Sequence, residues 1–327
     1  MKRCLLVLGV LGLAACRAPE VKQSAAPVVM VDESIVRKDP AFDALVPLGA
    51  KIEKVAGGFQ FIEGPVWMPE GVLWFSDVPG NVIRQWSPEG NKVEEVVRPS
   101  ENSNGLIGGK DGTLVICQHS GRRVALRSKS GVLTTLVDRF EGRKLNSPND
   151  AVYHSDGSLY FTDPPYGLEK QDEDPGKEVA FNGVYRLADG KLTALTKELS
   201  RPNGIALSPD EKTLYVANSD ANRRIWMRYG VMPDGSLGNG RVFADVTAEK
   251  AEGLPDGLKV DTNGNVWATG PGGVWVFSPE GKHLGTIKPA EVPANVGWGG
   301  DGKTLYMTAR TGLYRIQTAV SGKKAVY

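Results

Sequence analysis

Histidine is scarce: the 327-residue chain has three, His119, His154 and His283. A three-histidine zinc centre would consume all of them. Cysteine is as rare. Cys4 and Cys16 fall near the N-terminus and only Cys117 lies in the body, which excludes a disulfide framework there. Cys117 ends an apolar, strand-like run and reads as a buried structural thiol rather than a nucleophile. Net charge is almost absent, with 39 Lys+Arg against 38 Asp+Glu. Without a broad basic field, nucleic acid is a poor partner. No Gly-x-Ser-x-Gly elbow occurs, and the few histidines have no evident serine partner, so serine catalysis has little support. No long 3.6-residue stripe of apolar positions runs through the body. The apolar stretch at residues 5–13 is too short to span a bilayer.

That stretch belongs to a targeting segment. Lys2 and Arg3 precede it, and Leu13-Ala14-Ala15-Cys16 closes it. The pattern resembles a bacterial lipobox, in which the cysteine is lipidated and becomes the first mature residue. The expected division is a signal peptide at 1–15, a tether at 16–46 rich in Ala, Pro and Val, and a folded domain at 47–327. Arg17, rather than Asp, follows the cysteine. By the same resemblance this favours the periplasmic face of the outer membrane, with membrane contact through lipid on Cys16.

What the body has in excess is glycine, 40 residues, and a repeated phrase. A Gly- or Asp-containing turn leads into a short β-rich run that ends in small polar or acidic residues. Gly71-Val72-Leu73-Trp74-Phe75-Ser76-Asp77 and Gly157-Ser158-Leu159-Tyr160-Phe161-Thr162-Asp163 are the clearest copies. Others begin at Gly112, Lys212, Gly264 and Lys303. A period of roughly 40–50 residues with several strands per unit is the signature of a β-propeller. Six copies predict an all-β, six-bladed propeller. The charged stretch at residues 169–178 interrupts the spacing after the third copy. Residues 164–182 are expected to form a lid, with Tyr166 or Phe181 facing substrate.

Four short motifs precede copies of the phrase: Glu63-Gly64, Asn149-Asp150, Asn203-Gly204 and Asp256-Gly257. Each sets a carboxylate or carboxamide at the start of a strand that would line the central channel. Four equivalent positions in four blades converge on one axis. Two carboxylates and two amide oxygens suit one divalent cation, Ca²⁺ first, with Zn²⁺, Mg²⁺ or Mn²⁺ as alternatives. Asn104 is a fifth equivalent and is read as a substrate-facing residue.

These motifs, in this order, resemble the senescence-marker-protein/gluconolactonase/luciferin-regenerating-enzyme family, and most closely its bacterial gluconolactonase branch. The segments FIEGPVW, SNGL, SPNDAV, LYFTDPPYGL, FNGVYRL, RPNGIALSPD, LPDGLKVD and NVGWGGDGKTLYMTA carry the resemblance. It implies a six-bladed propeller with one divalent cation in its channel, held by Glu63, Asn203 and Asp256. Asn149 matches a position that binds metal in some members and substrate in others. Asp256 matches the proposed general base. His119 and Arg123 match a substrate-side segment of blade two, in which Gln118 stands where relatives commonly carry Glu.

The implied reaction is hydrolysis of a sugar lactone, a small-molecule substrate, with no obligate protein partner indicated. It needs a polarised carbonyl and a deprotonated water. Two other classes fit the scaffold: another metal-dependent esterase or organophosphate hydrolase, and a non-catalytic binding propeller.

Overall fold

The computed structural model describes residues 33–109 and 111–323. It is an all-β, six-bladed propeller. Each copy of the repeated phrase forms the second strand of a four-stranded antiparallel unit: Val72–Asp77, Leu114–Gln118, Leu159–Asp163, Thr213–Asp220, Val266–Gly270 and Thr304–Ala309. The inner strands run just before them, from Ile62–Met68 in blade one to Pro293–Gly299 in blade six.

The hydrophobic core is divided among the blade interfaces. Met68, Trp74 and Ile83 of blade one meet Leu106, Leu114 and Ile116 of blade two. Equivalent clusters fill the other five interfaces, including the one between blades six and one, where Tyr306 and Leu313 meet Ile62, Phe75 and Trp86. Strands with both faces covered need apolar residues on each side, which is why the second strands show little polar alternation. Cys117 is buried in the cluster between blades two and three, and burial pushes its thiol pKa well up. It is an inert packing residue, as expected.

Ring closure uses chain remote in sequence. The outer strand of blade six is Glu53–Gly57, paired antiparallel with Gly312–Gln317 in the register Lys54↔Tyr314. Blade five gains a fifth strand, Ile35–Arg37, on the edge of His283–Ile287. A short 3₁₀ helix, Pro40–Ala44, follows and is capped by Asp39. Its Phe42 and the following Val46 are fully buried against blades five and six. Residues 35–46 are therefore part of the packed body, not of a tether. The expected boundary at 47 fails because each element is too short to announce itself and is ordered only by a distant edge. The signal segment and Cys16 lie outside the described residues. His283 opens the fourth strand of blade five and stacks on Trp275 with ring centroids 4.1 Å apart.

Candidate active site at the channel mouth

The polar ends of the repeated phrase build the frame of the site. In blade three, Asp163 accepts the backbone N–H groups of Asn146 and Ser147 at 2.8 and 2.7 Å, fixing the loop that enters the inner strand. Burial pushes its carboxyl up to about 7, against the pull of those two bonds. Asn218 does the same in blade four, accepting from Arg201 N–H at 2.8 Å. One residue earlier or later, a hydroxyl reaches the next blade. Ser76 Oγ donates to the Asn104 carbonyl at 2.8 Å, Thr162 Oγ1 to that of Asn203 at 2.7 Å, and Thr269 Oγ1 to that of Ala294 at 2.8 Å. Ser219 Oγ donates to the Pro255 carbonyl. The hydroxyls thus hold neighbouring inner strands together beside the candidate site residues.

The inner strands are irregular at one level. Their pairing register slips between Glu63 and Val66, Ser103 and Leu106, Pro202 and Ile205, and Pro293 and Asn295. Such bulges re-aim side chains, and here they coincide with the polar motifs. The glycines after those residues serve close approach. A Cβ on Gly204 would lie 2.3 Å from the Asp256 carbonyl oxygen, and one on Gly64 would lie 2.2 Å from that of Asn104.

Glu63, Asn203 and Asp256 come together in one electrostatic cluster. The Glu63 carboxylate accepts from Gly64 N–H at 2.9 Å and from the Asn295 carboxamide, yet its pKa is raised, first by burial and then by the charge of Asp150. Burial also raises Asp256 well above the carboxylate range. The charges of Glu63 and Asp150 add to this, and the N–H of Gly257 and the Asn203 carboxamide oppose it. Asn203 Nδ2 donates to Ser219 Oγ at 3.0 Å, which fixes the carboxamide beside Asp256. Tyr166 belongs to the same cluster: burial and the Asp256 charge raise its phenol, while Ser219 and Asn203 hydrogen-bond to it.

Asn104 and His119 form a second group, with Asn104 Nδ2 and His119 Nε2 3.3 Å apart. Burial lowers the imidazole pKa to about 4. Asn149 is buried in the intervening blade, where its carbonyl accepts Gly105 N–H at 2.8 Å. Arg123 is directed elsewhere. Its Nε donates to Gln118 Oε1 at 2.5 Å and its Nη1 to Thr135 Oγ1 at 3.0 Å, within blade two. Gln118 is itself buried and donates to the Ser100 carbonyl, so it is a framework residue.

The insertion is pinned down rather than free. Asp172 pairs with Arg201, Arg122 Nη1 donates to the Gly176 carbonyl at 2.9 Å, and Lys144 N–H donates to Glu178 at 2.7 Å. Val179 is buried. Tyr166 reaches the site, whereas Phe181 packs on Tyr185 and Phe140 of the framework.

The donor set fits a hard cation. Asp256 Oδ1 and Asn104 Oδ1 are buried without a hydrogen-bond partner. Among the described residues no three His, Cys, Asp or Glu side chains gather as a metal group, so carboxamides must complete any ligand set. Three residues of the axis escaped the sequence reading: Asp150, Asn295 and Lys259. Asn295 is the third residue of the blade-six inner strand, and Ala294 occupies the slot that is polar in the other five blades. The polar group is displaced by one residue, and only the bulge brings it inward.

The profile of the SMP-30/gluconolactonase/LRE-like family matches residues 61–311. The chain belongs to this family. It is 38% identical over 312 residues to a gluconolactonase of Zymomonas mobilis, covering 88% of this chain and 87% of that protein. A solved gluconolactonase of Xanthomonas campestris superposes with a TM-score of 0.79 at 31% identity, covering 91% of this chain and 99% of that one. A calcium-binding regucalcin of Agrobacterium tumefaciens shares the fold, with a TM-score of 0.66 at 23% identity over 82% of this chain and 92% of that one.

Proposed function

We propose that this chain hydrolyses sugar lactones at the channel mouth and holds one divalent cation, calcium first, through Glu63, Asn203 and Asp256. The carrying observation is the buried Glu63 acting on the half-buried Asp256, beside the unpartnered oxygens Asp256 Oδ1 and Asn104 Oδ1. Carboxylates raised by burial and by acidic neighbours stay ionised together only against positive charge. A set of oxygens alone suits calcium better than zinc, which prefers nitrogen and sulfur. The family membership and the gluconolactonase relatives support a lactone as the substrate.

When bound, such a cation would polarise the lactone carbonyl and stabilise the charge developing on its oxygen. The protein's own groups do the rest. Asp256 offers an oxygen that no protein donor claims, and burial raises its affinity for the proton of an attacking water. Asn104 Oδ1 is free to accept from a sugar hydroxyl, its amide being oriented by His119. Above pH about 4 the imidazole is neutral and adds no charge to the pocket. Tyr166 keeps its phenolic proton at neutral pH and can donate it to the substrate beside Asp256. Asn149 stands between the two groups as a further amide for metal or substrate.

A lactone panel assayed with chelated and calcium-reconstituted protein tests this reading. Turnover should vanish on chelation and return with calcium. Asp256→Asn should still bind the ion while losing turnover; full activity in that variant removes the base assignment. Cell-envelope placement through lipid on Cys16 belongs to the same proposal. Wild type should take up a fatty-acid label in cells and Cys16→Ser should not; an unlabelled wild type removes the anchor.

A further inference from the structure

The channel holds more acid than the proposed metal site uses. The charge of Asp150 acts on both Glu63 and Asp256, and Glu63 and Asp150 are buried. Asp150 Oδ1 accepts the N–H of Ala151 at 2.9 Å, but Oδ2 is buried and has no hydrogen-bond partner. The nearest positive group is Lys259, whose Nζ lies 3.6 Å from Asp150 Oδ2. The same Nζ is 3.5 Å from Asn295 Oδ1 and 3.1 Å from the Leu258 carbonyl. Lys259 enters the channel through simple alternation along its strand, since Leu258 and Val260 on either side face the blade core.

A carboxylate, a carboxamide and a main-chain carbonyl form the kind of oxygen set that receives a hard cation. Here it surrounds an ammonium. The three axial carboxylates are matched in charge by one divalent ion plus this lysine. Lys259 also lines a cavity of about 520 Å³ walled by apolar residues such as Val66, Met68, Ile107 and Val152; its own side chain keeps 31% of its exposure, whereas that of Asp150 keeps 3%. An unpaired buried charge there would be strongly unfavourable.

We infer that Lys259 is a built-in axial cation: with Asp150 and Asn295 it fills a second cation position and restricts the channel to one divalent ion. The divalent ion rests on the lactonase reading above; the pairing of Lys259 with Asp150 does not.

The test compares wild type with Lys259→Met, Lys259→Arg and Lys259→Met/Asp150→Asn. Each chelated protein is titrated calorimetrically with calcium alone and melted in chelator. Wild type and Lys259→Arg should bind one equivalent. Lys259→Met should bind a second, weaker equivalent, and the double variant should return to one. In chelator, Lys259→Met should melt several degrees below wild type, and the double variant should recover most of that loss. A single equivalent of unchanged affinity in Lys259→Met, with a wild-type melt, overturns the inference and leaves the metal reading intact. A wild type that binds no calcium removes the metal reading and the one-ion restriction together, while the melts still decide the pairing. Should Lys259→Met not fold, the pairing requires that the double variant does; failure of both overturns it.

Discussion

Gly204→Ala tests whether the inner strands are as close as the site requires. The added Cβ would lie 2.3 Å from the Asp256 carbonyl oxygen, 2.7 Å from Gly257 Cα and 2.9 Å from the Asp256 carbonyl carbon. All three are backbone atoms, so no side chain can turn aside. Relief to an ordinary contact requires the strands of blades four and five to part by about 1 Å, against the hydroxyl of Ser219 and the cluster of Ala206, Tyr215 and Leu258. Overpacking of this kind costs about 1–3 kcal/mol. A backbone clash belongs at the upper end. At about 2 °C per kcal/mol for a domain of this size, the melting temperature should fall by about 6 °C. Asn203 and Asp256 flank the clash, so lactone turnover should fall by about 100-fold, the usual effect of a 1 Å misplacement. Gly49→Ala is the control, because its Cβ meets nothing within 4 Å. Melting and turnover should be followed together. A Gly204→Ala protein within 1 °C of wild type and fully active would refute the close-approach argument, since no nearby side chain offers another way out.

Thr269→Val removes a hydroxyl that lies 3.0 Å from the Gly257 carbonyl and 2.8 Å from that of Ala294. The Gly257 carbonyl keeps the N–H of Thr269 and the Ala294 carbonyl that of Gly257, so the substitution should cost about 0.5–1.5 kcal/mol in urea unfolding, the net worth of one hydrogen bond. Burial holds His119 near 4, below its ordinary 6.5, so its contribution is complete above pH 6.5 and is lost as the pH falls toward 4. The stability difference between wild type and His119→Gln should narrow by about 2 kcal/mol from pH 7 to pH 5, and a pH-independent difference would show the imidazole titrating normally. Deletion of residues 33–57 strips the outer strands from blades five and six and exposes Phe59 and Tyr314. Circular dichroism should show a large loss of melting temperature or no folded protein, and an unshifted melt would mean the ring closes without them.

The propeller was legible in the chain because its signals are local. Each second strand carries its own turn, its own β-rich run and its own polar end, as in Gly157-Ser158-Leu159-Tyr160-Phe161-Thr162-Asp163. Six such units define six blades before any of them is packed. Glu63, Asn104, Asn149, Asn203 and Asp256 were legible for the same reason: each marks the start of an inner strand and repeats from blade to blade.

The repeated phrase did not reveal what its polar ends do. Asp163 and Asn218 fasten loops, while Ser76, Thr162, Ser219 and Thr269 tie one blade to the next. Such roles exist only between units. The directions of Arg123 toward Thr135, and of Tyr166 but not Phe181 toward the site, likewise depend on neighbours in space.

The chain alone determined the repeating unit and the number of blades, and it marked five polar positions at the starts of inner strands, because strand alternation and turn chemistry act over a few residues. Only the tertiary structure decided that Glu53–Gly57 completes blade six, that Asn295 enters the channel beside Glu63, and that Lys259 stands against Asp150. Those arrangements depend on ring closure and on the bulge after Pro293, which join residues far apart in sequence and shift the pairing register by single residues. No pattern read along one strand carries that information.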